Sequence, residues 1–361
     1  MQDHNLTEDF QPQGIRYEER PVYDRGGKPV DDLHIVWITL DNQRELNSYT
    51  TETIKEVILA FRQASSDRAA VAVVFTGAGD RAFCTGGNTR EYAEVYAGNP
   101  GEYRQYMRLF NDMVSAILHC DKPVICRVNG MRVGGGQEIG MACDFSIASD
   151  LAVFSQAGPK HGSAPDGGST DFLPLFVGIE NAMYSGTLCE PWSAHRFYYL
   201  GGLTDILPAL KVDGEWIANP LVITDRYVDD GEIVYGEMKT GEAAKAARDL
   251  IKNNPKDLSR LDAAVDEIIW RLTNLFPGCL MKSIDGIRAK KKFFWDQMKL
   301  ANRHWLAANM SVEAFLGFTA FNTKKITGQD VIDFVRYRQL VAEGAMMDDA
   351  AFEQVLGKPA R

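Results

Sequence analysis

Three features of the 361-residue chain predict an α/β layered fold. Segments dense in β-branched residues alternate with segments of helical spacing through the first half of the chain. The run "AVAVVFTGAG" over 70–79 is almost free of polar side chains, as a strand covered on both faces would be. Glycine-rich turns follow strands where helices are expected to begin, at "CTGGN" and "VGGGQE".

The elements follow in order. "LHIVWITLDN" over 33–42 is apolar and β-branched, a strand. "TTETIKEVILAFRQASSD" over 50–67 has helical spacing, a threonine start and acidic residues in its first turn. After the strand at 70–79, "GEYRQYMRLFNDMVSAILHC" is an amphipathic helix, and "DKPVICRVNG" and "CDFSIASD" are a third and a fourth strand. From about Asn181 the pattern turns helical, interrupted at 210–242 by a segment rich in Gly, Pro, Asp and aromatics. That segment is expected to be an irregular or β-hairpin insertion, either a lid or a surface excursion that meets another subunit. The aromatic-rich helices of the C-terminal third are expected to make core or oligomer contacts. The implied division is 1–205, 206–245 and 246–361.

Composition narrows the function. A formal net charge of −10 argues against nucleic acid as a partner. No apolar run reaches the ~18 residues a membrane span needs. The polar, acidic start "MQDHNLTEDFQPQG" has neither a signal peptide's apolar stretch nor an Arg-rich transit pattern, so a cytoplasmic location is expected. Six scattered cysteines include no C-x-x-C pair, and six histidines no H-x-x-x-H pair, so neither disulfides nor a bound metal is expected.

The three consecutive glycines Gly134, Gly135 and Gly136 stand directly before a helical segment carrying Glu138. Glycine costs helix stability, so the run requires a reason. It is either a tight turn between strand and helix, or a place where bare backbone N–H groups meet a ligand oxygen. Neither glycine turn has the spacing of a dinucleotide fingerprint or a phosphate loop. Two separate turns converging on one point would make an oxyanion hole.

Taken together, "FCTGGN", "KPVICRVNGMRVGGGQEIGMACDFSIAS" and "FSQAGPKHGSAPDGG" resemble the crotonase (enoyl-CoA hydratase/isomerase) superfamily over roughly residues 30–205. The resemblance implies a repeated ββα spiral core, a C-terminal helical trimerisation region, and a homotrimer or homohexamer. It implies an acyl-CoA substrate whose thioester oxygen is held by the N–H groups of Gly87 and Gly135. Arg44, Gly86, Gly87, Asn88, Thr89 and Arg90 would lie along the CoA, Arg44 being equally able to stand solvated. Asn88 replaces the aspartate usual at its position.

Glu138 matches the first catalytic glutamate of the hydratases; the second falls on Gly158. Asp166 matches a catalytic carboxylate of the dienoyl-CoA isomerase and chlorobenzoyl-CoA dehalogenase branches. For Glu138 the alternative is a charge at a helix start, for Asp166 an Asx-turn, and for His161, five residues before it, a structural histidine. "QAGPKHGS" resembles the dihydroxynaphthoyl-CoA synthase branch, which closes or opens a ring beside a CoA thioester. The implied activity is water addition to the C=C bond of a cyclic acyl-CoA followed by hydrolytic C–C cleavage. Glu138, Asp166 and His161 would act as acid–base groups, without metal or cofactor, coenzyme A being part of the substrate. A cyclase of that branch, another acyl-CoA hydratase and an inactive scaffold are the alternatives.

Overall fold

The computed structural model describes residues 2–7, 9–327 and 332–356. Its main sheet has six strands: β1 (Ile15–Tyr23), β2 (Pro29–Leu40), β3 (Ala70–Gly77), β5 (Val124–Val128), β7 (Phe145–Ser149) and β10 (Asp205–Leu207), adjacent in that order. All neighbours are parallel except β1, which runs antiparallel to β2 at the edge. A second sheet joins β4 (Ala82–Cys84), β6 (Met131–Val133), β8 (Val153–Ser155) and β9 (Trp192–Ser193). Short strands of the second sheet thus alternate with the main strands through β8, the double-layered winding expected of the resemblance.

β1 is not legible as a strand. Its sequence "IRYEERPVY" buries only Ile15 and Val22, and Pro21 lacks the N–H a ladder needs. Pro21 is tolerated because β1 is an edge strand, and the register shifts at Pro21/Tyr23. The chain after Asn181 is also less helical than its pattern suggests. β9 and β10 interrupt it, and β10 extends the main sheet beside β7.

The core explains the continuous Val run. Val73 and Phe75 of β3 pack with Ile54, Val57 and Phe61 of α1 (Thr51–Ser66), and with Met113 and Val114 of the helix Pro100–Leu118. Ala72 and Val74 face the other way, onto Leu261, Val265 and Ile269 of the helix Ser259–Thr273. α1 starts where its sequence signals, with Thr50 Oγ1 accepting from Thr53 N. A three-residue helix, α2 (Thr89–Glu91), leads into a wide turn at Tyr92–Tyr96 and then α3 (Pro100–Leu118). The glycine run opens α4 (Gly135–Ala142), followed by α5 (Ser169–Val177), α6 (Ile179–Leu188) and α7 (Ala194–Tyr199).

The insertion forms two hairpins, β11 (Leu210–Val212) with β12 (Glu215–Ile217) and β13 (Val228–Asp229) with β14 (Glu232–Ile233). Asp150 anchors it, its carboxylate accepting from Ala209 N (3.1 Å) and Asn219 N (2.8 Å). Helices follow: α8 (Gly241–Asn253), α9 (Ser259–Thr273), the 33-residue α10 (Pro277–Asn309), α11 (Glu313–Thr327), α12 (Phe334–Ala342) and α13 (Asp349–Val355). No helix among the described residues is long and apolar enough to cross a membrane.

α10 locks onto the sheet through two buried cations. Arg288 meets Asp144 with two hydrogen bonds, Nε–Oδ1 at 2.7 Å and Nη2–Oδ2 at 2.6 Å, while Asp144 Oδ2 accepts from Val124 N. Lys291 Nζ donates to the carbonyls of Met141, Ala142 and Cys143, the C-terminal end of α4. There its charge meets the negative end of the helix dipole. Both side chains are buried. Arg288→Met is expected to cost about 3–5 kcal/mol, since Asp144 would be left as an unpaired buried charge. Urea unfolding of both proteins at pH 7 measures it.

Candidate active site

A cavity of about 760 Å³ opens between the two glycine turns, α3 and α11. The turns touch: a β-carbon built on Gly86 would lie 2.9 Å from Gly135 N. Tyr49 N donates to Gly86 O, and Asn88 N to Tyr49 O, so pairing with the Tyr49 segment passes over Gly87 N–H. Gly135 is the first residue of α4, where backbone N–H groups have no intrahelical acceptor. Neither N–H is engaged by another group among the described residues. Two unengaged donors from separate turns therefore border one cavity, beside the positive end of a helix dipole.

The glycine run now has its reasons. Gly134 caps the helix at φ +54°, a region side chains rarely adopt. A side chain at Gly135 would collide with the hydroxyl of Tyr49, and one at Gly136 with Cys84 O. Gly87 is confined in the same way by the hydroxyls of Tyr92 and Tyr106.

Glu138 lines the cavity one turn into α4 and is buried. Its Oε1 accepts from Gly167 N at 2.8 Å. Burial, with the charges of Asp166 and Asp171 nearby, pushes its carboxyl up to about 8, against the pull of the Gly167 and Ser169 N–H groups. A carboxyl so placed can both take and return a proton near neutral pH.

His161 also lines the cavity. Its Nδ1 lies 2.9 Å from Ala157 O, so Nδ1 must be the donor, and Nε2 is the basic nitrogen of the neutral ring. Asp166 stands differently. Pro165 and Gly167 line the cavity and Asp166 does not; its Oδ1 accepts from Thr170 Oγ1 at 3.2 Å beside the start of α5. Burial raises its carboxyl, and its charge is felt at Glu138.

Arg44, Gly86, Gly87, Thr89 and Arg90 line the cavity, with both arginines exposed and Arg90 3.8 Å from Glu45. Asn88 does not line it. Its Oδ1 accepts from Arg90 N and Glu91 N, capping α2. At Gly158, where the hydratases' second glutamate would stand, a β-carbon would press within 2.9 Å of Ser163 O and Ala164 Cα. No residue of 206–245 lines the cavity. Glu19, His34 and Asp67, a group able to hold a metal ion, lie outside it.

Four features were not read from sequence. Tyr92, Tyr96, Tyr103 and Tyr106 form a buried cluster against the donors, with Tyr92 and Tyr106 hydroxyls 2.6 Å apart. Tyr49 faces the cavity from just before α1. Gln156, also lining it, donates from Nε2 to Ser169 Oγ while its buried Oε1 has no partner among the described residues. Asp171 sits buried near Glu138, its own carboxyl pushed up to about 6 by burial and by Asp166. Only the spacing of the tyrosines on α3 carries a signal, and it is indistinguishable from an ordinary core stripe.

Comparison with known proteins adds the lineage. Residues 32–256 match the model of the family described as enoyl-CoA hydratase/isomerase. A protein of Syntrophus aciditrophicus named 6-oxocyclohex-1-ene-1-carbonyl-CoA hydrolase is 61% identical over 348 residues, covering 95% of this chain and 91% of its own. A protein of the same name from Thauera aromatica is 59% identical over 344 residues, with the same two coverages. Among solved structures, an enoyl-CoA hydratase from Bacillus halodurans superposes with a TM-score of 0.63 at 17% identity, covering 85% of this chain and all of that one. One from Mycobacterium avium subsp. paratuberculosis gives 0.61 at 22%, covering 85% and 98%. These two bear on the fold alone. The family match, the relatives and the paired donors agree: the chain belongs to the enoyl-CoA hydratase/isomerase family.

Proposed function

We propose that this chain is a ring-opening hydrolase that converts 6-oxocyclohex-1-ene-1-carbonyl-CoA and two waters into 3-hydroxypimeloyl-CoA. The observation that carries the reading is 56–61% identity to three relatives of that named activity, over at least 95% of the chain. The geometry supports it: one carboxyl, Glu138, poised near neutral pH beside two unengaged N–H groups.

In the first stage, ionised Glu138 takes a proton from water as its oxygen adds to the β-carbon. The electrons run to the thioester oxygen, held by Gly87 and Gly135 N–H, and Glu138 returns the proton to the α-carbon. In the second stage, a water adds to the ring ketone. The bond from that carbon to the α-carbon breaks, its electrons again forming the thioester enolate in the same hole, and the α-carbon is protonated. The ring carbon leaves as the new carboxylate. His161 lines the cavity and Asp166 does not, which makes His161 the better-placed activator of the second water, with Asp166 acting on Glu138 through charge. The chain's own carboxyl, imidazole and N–H groups supply both stages, so coenzyme A enters only with the substrate. Arg44 and Arg90 at the exposed rim suit its phosphates.

The same reading puts the enzyme in the cytoplasm, in anaerobic degradation of aromatic acids, as a homotrimer or homohexamer. Exposed Phe293, Met298 and Trp305 on α10 suit subunit contact. The division into 1–205, 206–245 and 246–361 is kept as a proposal of three modules.

Mass spectrometry in water enriched in heavy oxygen tests the activity. The product should gain two waters, with label in the hydroxyl and the carboxylate; a gain of one water would reduce the enzyme to a hydratase. His161→Gln should accumulate the singly hydrated ring ketone. Accumulation in Asp166→Asn instead would move the second activation to Asp166.

A further inference from the structure

The Tyr49 side chain is 2% exposed, yet it lines the cavity. Its hydroxyl occupies the space a β-carbon on Gly135 would need, so it stands directly over the residue whose N–H borders the hole. No hydrogen bond to that hydroxyl forms among the described residues. By contrast, the neighbouring hydroxyls of Tyr92 and Tyr106 bond to each other, and that of Tyr96 bonds to Thr51. The ring is also fixed. The Tyr49 backbone is pinned on both sides by Gly86 O and Asn88 N, and its ring lies 5.8 Å from that of Phe110.

A hydroxyl on the cavity wall, held rigidly beside an unengaged N–H and without a hydrogen-bond partner among the described residues, is a donor awaiting an acceptor. The ring ketone of the proposed substrate is 1,3 to the thioester carbonyl. In the syn arrangement the two oxygens lie side by side, and two neighbouring donors are required. We infer that Tyr49 is a catalytic residue for ring cleavage, its hydroxyl donating to the ring-ketone oxygen while Gly135 N–H receives the thioester oxygen. When water adds to the ketone, negative charge develops on that oxygen, and the bond from Tyr49 strengthens. When the C–C bond breaks, the charge moves to the enolate and the oxygen becomes part of the carboxylic product. The Tyr49 proton stays on its own oxygen throughout. Burial holds that hydroxyl well above its ordinary pKa, in keeping with a donor that does not ionise. The inference rests on the function proposed above.

The test uses the full chain, wild type and Tyr49→Phe, on two thioesters: the oxo substrate and cyclohex-1-ene-1-carbonyl-CoA, which lacks the ketone. The readout is the ratio of the two losses: the loss on the oxo substrate should exceed that on the ketone-free thioester by about tenfold or more, and a urea midpoint close to that of wild type shows that the variant folds. Cleavage of the oxo substrate should fall about 10²–10³-fold, the loss typical of one oxyanion donor, with the singly hydrated ketone accumulating. Equal losses on both substrates, or no loss on either, would overturn the role. If the wild type hydrates the ketone-free thioester but never opens the oxo ring, the function proposed above fails, and the inference with it. If the wild type opens the ring and Tyr49→Phe opens it as fast, only the inference fails.

Discussion

Glu138→Gln should lose about 10²–10⁴ in turnover, the range a general acid–base group contributes. The amide keeps the shape and can still accept from Gly167 N, but it can neither take nor return a proton. In the wild type the ionised form does the work, so the rate should rise with pH and level off above about 8. The same shift has a consequence for stability. The native carboxyl holds its proton up to about 8, while in the unfolded chain it releases it near 4.5. The stability this contributes is complete below 4.5 and is lost as pH rises through 8. Glu138→Gln has no such loss. It should therefore gain in urea midpoint relative to wild type between pH 6 and pH 9, while its activity stays low at both. A variant with wild-type turnover, or with no relative gain at pH 9, would contradict this account of the carboxyl.

Gly135→Ala is the second large effect. The new methyl group has to enter the space of the Tyr49 hydroxyl, which is closed in by Phe110 and the pinned backbone. Either the Tyr49 ring or the start of α4 moves, and in both cases the N–H leaves its position. Turnover should fall about 10²–10³-fold, as for a lost oxyanion donor, with about 1–3 kcal/mol of overpacking. Gly278→Ala, in the first turn of α10 with open space around it, is the control and should leave turnover unchanged. Steady-state kinetics and unfolding of both variants measure it. Equal kinetics in the two would mean that the middle glycine is a turn and nothing more.

Local signals predicted what local forces decide. The Val run of β3, the Thr50 cap of α1 and the glycine run before α4 could each be read because their cause lies within a few residues. Glu138 was legible by its place in the motif, but its raised pKa was not, since the burial that raises it and the charges of Asp166 and Asp171 beside it arise only through the fold. β1 escaped because its partner's hydrogen bonds, not its own apolar content, make it a strand. Tyr49 escaped for a related reason: it precedes a helix like many other residues, and only the bridge to Gly87 turns it into a wall of the cavity. Asp166 was read from its motif as a catalytic carboxylate or an Asx-turn, and neither reading included the bond its Oδ1 accepts from Thr170 Oγ1 beside the start of α5.

The two ends of α4 answer to different parts of the chain. Its first residue offers an N–H to the cavity, and its last turn is held by Lys291, some 150 residues later in α10. Heredity then has little freedom here. A lineage that exchanged its C-terminal third for another would have to import a cation at the same spot, or the donor at the far end of the helix would shift. The long helix is passed on with the hole, whatever else it does for assembly.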